Sequence, residues 1–229
     1  MNRLNKTQLI YPESYERDSL IKIQHEISEY VTIEDRFDKL HLIGGADCAF
    51  VKDSIICSAV VMDYDTMEII EKAAVIEPVT FPYIPTFLSF REAAPMINAV
   101  LRLKNIPDIL MIDGCGINHP RMAGLATHIG VSMDMPTIGI AKKILCGVSD
   151  EPQNVSDAKP LKYNGRQVGW YLKSSKRSNP IVIAPGHRVS VKTSLTVVRN
   201  CLRGYKLPET TRNAHLEAGR IKQEIKHEQ

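Results

Sequence analysis

Pro107-Asp-Ile-Leu-Met-Ile-Asp-Gly-Cys-Gly-Ile-Asn-His119 carries a carboxylate out of an apolar run into a glycine-rich loop. Ile109 to Ile112 is unbroken and apolar, the pattern of a short strand covered on both faces. Asp113 stands at its carboxyl end, where open α/β sheets bind ligands. Gly114 and Gly116 let the chain turn there and allow another molecule close to the backbone. An Asp-Gly turn after a strand is common in itself, so Asp113 needs partners from elsewhere in the chain.

Upstream lie three strand-like runs, Leu42 to Val51, Ile55 to Asp63 and Met67 to Val75, separated by Lys52-Asp53-Ser54 and Tyr64-Asp65-Thr66. Connections this short predict an antiparallel meander. Asp47 interrupts the first run, and a carboxylate in a buried strand costs several kcal/mol (order of magnitude) unless a cation or a hydrogen-bond cluster meets it. Next comes Phe81-Pro-Tyr-Ile-Pro85, in which Pro82 and Pro85 stiffen a loop with Tyr83 and Ile84 at its tip. Such a loop either buries its own aromatics or acts as a wedge that enters a base stack. Ser89-Phe-Arg-Glu92 matches a capping box, but Pro95 would then lie inside the helix. A start near Glu92 to Ala94 is expected instead, with the helix running over Ala93 to Leu103 and Glu92 free to point elsewhere.

After Asp113, a helix over Arg121 to Gly130 and a strand over Thr137 to Ala141 are predicted. The order β-β-β-α-β, with acids on the first strand, near the first helix and at the end of the fourth strand, resembles the ribonuclease H-like nuclease fold. The fold class expected is therefore α/β: a mixed sheet of meander and parallel strands flanked by helices. Asp47, Glu92 and Asp113 become three carboxylates able to hold a hard divalent cation such as Mg²⁺.

Five motifs narrow the resemblance. Gly44-Gly-Ala-Asp-Cys-Ala-Phe50, Pro82-Tyr-Ile-Pro85 with Phe87-Leu-Ser-Phe-Arg-Glu92, Asp113-Gly-Cys-Gly-Ile-Asn-His-Pro-Arg121, Pro136-Thr-Ile-Gly-Ile-Ala-Lys-Lys143 and Gly186-His-Arg-Val-Ser190 stand in the order and spacing of the endonuclease V family. The chain resembles that family from about residue 35 to about residue 215. The resemblance implies cleavage of DNA at the second phosphodiester bond 3′ to deoxyinosine, leaving 3′-hydroxyl and 5′-phosphate ends. It implies Mg²⁺ as cofactor, with Mn²⁺ as a substitute, and Asp47, Glu92 and Asp113 as metal ligands. Tyr83, with Pro82, Ile84 and Pro85, becomes the wedge, and Gly114 and Gly116 become the floor of the base pocket. Lys142 becomes a catalytic cation for the scissile phosphate, His119 a substrate-positioning group, and His215 a histidine near the metal centre. Two positions depart from the pattern. Cys115 stands where histidine is frequent, and Thr86 where glycine is common.

Inosine-containing RNA is the competing polymer. A lesion-binding protein without catalysis is the competing class, and a third reading, an ATP-using relative of the wider ribonuclease H-like fold, is disfavoured because this sequence shows no separate glycine-rich phosphate loop or second nucleotide-binding lobe. Residues 1 to 159 hold 15 Lys and Arg against 22 Asp and Glu, whereas residues 160 to 229 hold 14 against 4. The basic third, spread through apparent folded structure, suits a phosphate backbone. It includes a hairpin turned at Asn164-Gly165, a strand over Ile181 to Ala184, and helices over Val191 to Arg203 and Glu209 to Ile225. Trp170 is expected in the core, while His187 and Arg188 fit either phosphate positioning or structural support.

Ser14 to Val31 reads as an amphipathic packing helix. Residues 1 to 229 are expected to form one catalytic domain, completed by 160 to 229. A monomeric cytoplasmic protein is expected, with no membrane partner, because no apolar span or signal-peptide pattern occurs. Cys48, Cys57, Cys115, Cys146 and Cys201 contain no C-x-x-C pair and read as reduced thiols.

Overall fold

The computed structural model describes residues 6–227. In chain order it contains α1 (Lys6–Ile10), α2 (Arg17–Glu29), β1 (Leu42–Val51), β2 (Ser54–Asp63), β3 (Ile69–Pro78), α3 (Ser89–Leu101), β4 (Ile109–Asp113), α4 (Leu125–Met133) and β5 (Thr137–Ala141). β6 (Ala158–Tyr163), β7 (Arg166–Leu172), β8 (Ile181–His187), α5 (Val191–Asn200) and α6 (Glu209–His227) follow. All eight strands form one sheet in the order β3-β2-β1-β4-β5-β8-β7-β6. Its centre, β1-β4-β5, is parallel, and both wings are antiparallel. This is the mixed sheet expected from the sequence. Among the described residues no helix is long and apolar enough to cross a membrane.

The two-residue period of β4 explains its unbroken apolar run. Ile109 and Met111 join Ile43, Val60 and Ile138 in a core with Leu195 and Val198 of α5. Leu110 and Ile112 join Ala46, Val61, Met96 of α3 and Ile129 of α4 in the other. Each such side chain, fully removed from water, contributes about 1.5–3 kcal/mol. α6 crosses β1 and β2 on the α5 side, and small residues make room for it. A Cβ on Gly45 would lie 2.2 Å from the Thr210 backbone, and the Ser58 hydroxyl donates to the Ala214 carbonyl at 2.6 Å.

Several expectations change. α3 begins at Ser89, and Pro95 lies inside it. Entry is through tight turns, with Arg91 N–H donating to Leu88 O at 3.0 Å and Phe90 N–H to Phe87 O at 3.1 Å. The donor that Pro95 lacks is offset by burial of Phe90, Ala93, Met96, Ile97 and Val100. α4 starts at Leu125 and not Arg121, because residues up to Met122 form a turn in which Met122 takes φ 50°. β3 starts at Ile69, since the Asp63 carboxylate accepts the Asp65 and Thr66 amides at 3.0 and 2.8 Å and lengthens the turn.

The cysteine expectation is overturned at one pair. Cys48 and Cys57 form a disulfide, their Cα atoms 4.2 Å apart. The β1–β2 register sets them directly opposite each other across the hairpin, a proximity that linear spacing hides because the partners are nine residues apart. Cys115, Cys146 and Cys201 are free. The Asn164-Gly165 turn is present, with φ 49° and 75°. Trp170 packs against the core on the α5 side and donates its indole N–H to the Val191 carbonyl at 2.8 Å.

Candidate active site

The parallel pairing of β1 and β4 sets Ala46 beside Ile112, so Asp47 and Asp113, one residue further on each strand, emerge at the same end of the sheet. α3 brings Glu92 to that end from its first turn. Asp47 and Glu92 are buried, at 7% and 8% exposure. Burial first, then the Asp113 charge, pushes Asp47 up to about 6 against hydrogen bonds from His215 and Cys48. Burial first, then the charges of Asp47 and Asp113, pushes Glu92 up to about 8. Asp113 thus makes Asp47 harder to ionise, and both make Glu92 harder, so the cluster is short of positive charge.

Two further side chains meet these acids, Lys142 and His215. Lys142, just beyond β5, places its ammonium 2.5 Å from Asp113 Oδ2. Burial alone would lower the Lys142 pKa, but Asp113, followed by Asp47 and Glu92, raises it. His215 of α6 places Nδ1 2.7 Å from Asp47 Oδ2, a contact that depends on the close approach of α6 at Gly45. Among the described residues no three Asp, Glu, His or Cys side chains close into a preformed metal cage. The donor set is all oxygen and under-neutralised, which suits a hard divalent cation.

Beside Asp113 opens a cavity of about 410 Å³, lined among others by Tyr83, Thr86, Gly114, His119, Leu125 and Lys142. The loop of residues 83–86, the loop after β4 and the end of β5 thus share one pocket. Pro85 also lines it, while Tyr83 and Ile84 project from the surface, 67% and 40% exposed. Gly114 borders the cavity, but its N–H donates to Ile140 O at 2.9 Å. Gly116 lies outside the lining. Its N–H donates to Asn118 Oδ1 at 2.8 Å, and a Cβ there would lie 2.2 Å from the Pro185 carbonyl oxygen. Gly116 therefore shapes the loop by close packing.

Both ring nitrogens of His119 are engaged. Nε2 donates to the Thr86 carbonyl at 3.0 Å and Nδ1 accepts the Arg121 amide at 3.2 Å. Burial first holds its pKa down to about 4, so the ring is neutral and bonded within the protein. Thr86 takes φ 70°, a left-handed conformation that costs a β-branched residue roughly 1–3 kcal/mol. Cys115 lines the cavity, its thiol pushed up to about 12 by burial, which leaves it a poor nucleophile. His187 and Arg188 lie at the opposite end of the sheet, where His187 pairs with Thr137 at the start of β5. His187 Nδ1 accepts the Thr32 amide at 3.2 Å and Arg188 pairs with Asp134 at 2.6 Å, so both are engaged in support. Sequence reading missed Gln24, Gly124 and Leu125. Gln24 looks like any polar helix residue, and Gly124 becomes part of the site only once the loop packs it against Cys115 and Gly116.

The family model for endonuclease V matches residues 25–216. An endonuclease V of Archaeoglobus fulgidus is 42% identical over 211 residues, spanning 91% of this chain and 94% of the relative. The crystal structure of a Bacillus subtilis endonuclease V superposes with a TM-score of 0.90 at 25% identity, covering 97% of this chain and 98% of that one. A Ciona intestinalis endonuclease V, in complex with a 23mer DNA containing an inosine followed by a ribo-adenosine, shares the fold. It gives a TM-score of 0.80 at 20% identity, covering 91% of this chain and 97% of that one.

Proposed function

This chain belongs to the endonuclease V family, and on that premise we propose that it recognises deoxyinosine in DNA and hydrolyses the second phosphodiester bond on its 3′ side. The observation that carries the reading is the mutual repulsion of Asp47, Glu92 and Asp113, the last of which lines a cavity together with Tyr83, Pro85 and Thr86 of the loop read here as the wedge. In this reading the three acids hold Mg²⁺, with Mn²⁺ as a substitute. When bound, the ion supplies positive charge to the attacking and leaving oxygens of the phosphodiester.

The chain's own groups do the rest. Lys142, with its side chain 47% exposed, offsets charge developing on the scissile phosphate. His215 orients the Asp47 carboxylate. Tyr83 and Ile84 fill the stack vacated by the base, which enters the cavity beside Gly114. Residues 160–229 belong to the same catalytic unit, since β6–β8 extend the sheet and α6 delivers His215. The Ciona relative was captured on inosine-containing DNA, which supports the choice of lesion.

Matched duplexes carrying deoxyinosine or deoxyadenosine at one site, incubated with Mg²⁺, test the proposal. Nicking of the deoxyinosine strand alone, abolished in Asp47→Ala, is expected. Binding without nicking in Mg²⁺ and Mn²⁺ would reduce the protein to a lesion-binding module, and preferential cleavage of an inosine RNA strand would replace the DNA substrate.

A further inference from the structure

The wedge loop is not held by its prolines alone. Behind its tip, one carbonyl oxygen, that of Thr86, is approached by three donors from two other parts of the chain. Gln24 Nε2 of α2 lies at 2.7 Å, His119 Nε2 at 3.0 Å and Arg121 Nη2 at 3.3 Å. A carbonyl has two lone pairs, and the two shorter contacts fill them. Arg121 Nη2 makes its better bond to the Thr86 hydroxyl at 2.9 Å, and its Nε donates to Gln24 Oε1 at 2.5 Å. Gln24, Thr86 and Arg121 thus form a closed circuit, and the Arg121 guanidinium lies 4.9 Å over the Phe87 ring.

Two features show that the circuit does more than fill space. Gln24 is wholly buried and His119 nearly so, and a buried amide is tolerated only where its donors and acceptor are matched. Thr86 is also held at φ 70°, where a threonine goes only if its surroundings compel it. The Phe87 amide returns to the Ile84 carbonyl at 3.0 Å, which couples this fixed point directly to the exposed tip.

We propose that Gln24, through Thr86 and together with Arg121 and His119, is a positioning residue that sets the angle of the Tyr83-Ile84 wedge, and so governs how readily the protein opens a paired duplex at its lesion. The inference rests on the inosine-nuclease reading and adds to it a contribution from α2, a helix remote in sequence from the catalytic acids. Gln24 touches no reacting atom. Its effect falls on the opening of the duplex and not on hydrolysis once the base is free.

The test compares kcat/KM on two inosine substrates, a matched duplex and the same duplex with a three-nucleotide unpaired loop around the inosine, where the wedge has little to open. Gln24→Leu should lower the matched-duplex value about tenfold more than the looped value, the scale of losing one or two buried hydrogen bonds. Tyr83→Ala serves as the positive control for the same split. Gln24→Glu keeps the shape and the acceptor for Arg121 but removes the donor to Thr86. It should reproduce the split, and it carries the test if the leucine variant fails to fold. Equal losses on both substrates, or no loss with either variant while Tyr83→Ala shows the split, would overturn the assignment. A wild-type protein that nicks neither substrate would instead remove the inosine-nuclease premise.

Discussion

His128 of α4 is wholly buried, with Nε2 donating to the Leu9 carbonyl at 2.7 Å and Nδ1 without a partner among the described residues. Burial lowers its pKa to about 4, below the ordinary value of about 6.5. The unfolded chain therefore binds a proton that the folded chain refuses. Its stabilising contribution is complete above about pH 6.5 and is lost as the pH falls toward 4. Denaturant melts over that range should show a loss on the order of 1–3 kcal/mol from this residue, and His128→Leu should flatten part of the slope. At the site, Lys142→Met removes the cation facing Asp113. Nicking should fall by roughly 100-fold or more under single-turnover conditions, while a fall of less than threefold would take Lys142 out of the chemistry. Asp47 and Asp113 stood out in the chain because a carboxylate within or at the end of an apolar strand demands a partner, whereas Lys142 stood out only through the family resemblance. That His215 nears the metal centre was only a family expectation, and its pairing with Asp47 was not foreseen, since it spans 168 residues and depends on where α6 crosses the sheet.

Among the elements, that crossing is the most exacting contact. With Thr210 backbone atoms 2.2 Å from where a Gly45 Cβ would sit, Gly45→Ala must push α6 outward. A cost of about 1–3 kcal/mol is expected, together with weakened nicking, because His215 moves away from Asp47. Retention of full stability and activity would show that α6 is free to shift. β1 and β2 are also joined by Cys48–Cys57, so the denatured, unreduced protein should titrate three thiols and the reduced protein five. The meander, β5 and the Asn164-Gly165 hairpin were legible, for strand alternation and turn chemistry are local. The starts of α3 and α4 were not. There, burial of Phe90 and Met96 outweighed a misplaced proline, and a turn through Met122 displaced an apparently helical run.

For the molecule as a whole, the strand order sets an acidic wing apart from a basic one within the sheet. The β2–β3 wing, residues 54–78, holds five acidic residues and one basic residue, whereas residues 160–208, which form β6–β8 and α5, hold ten Lys and Arg and no Asp or Glu. Binding to undamaged duplex should therefore weaken steeply between about 50 and 200 mM salt, with log K falling linearly against log salt. A flat dependence would deny the basic wing a role in holding the phosphate backbone. The unequal halves were legible as numbers along the chain. The placement of β6–β8 on the flank away from β2–β3 was not, because it follows from β8 folding back to pair with β5. Within the sheet, that arrangement sets an acidic edge, β2–β3, and a basic edge, β6–β8, on either side of the strands that carry Asp47 and Asp113. A nucleic acid approaching from solution would exert a torque on the molecule as well as a pull, turning it to present the same flank before any base is touched.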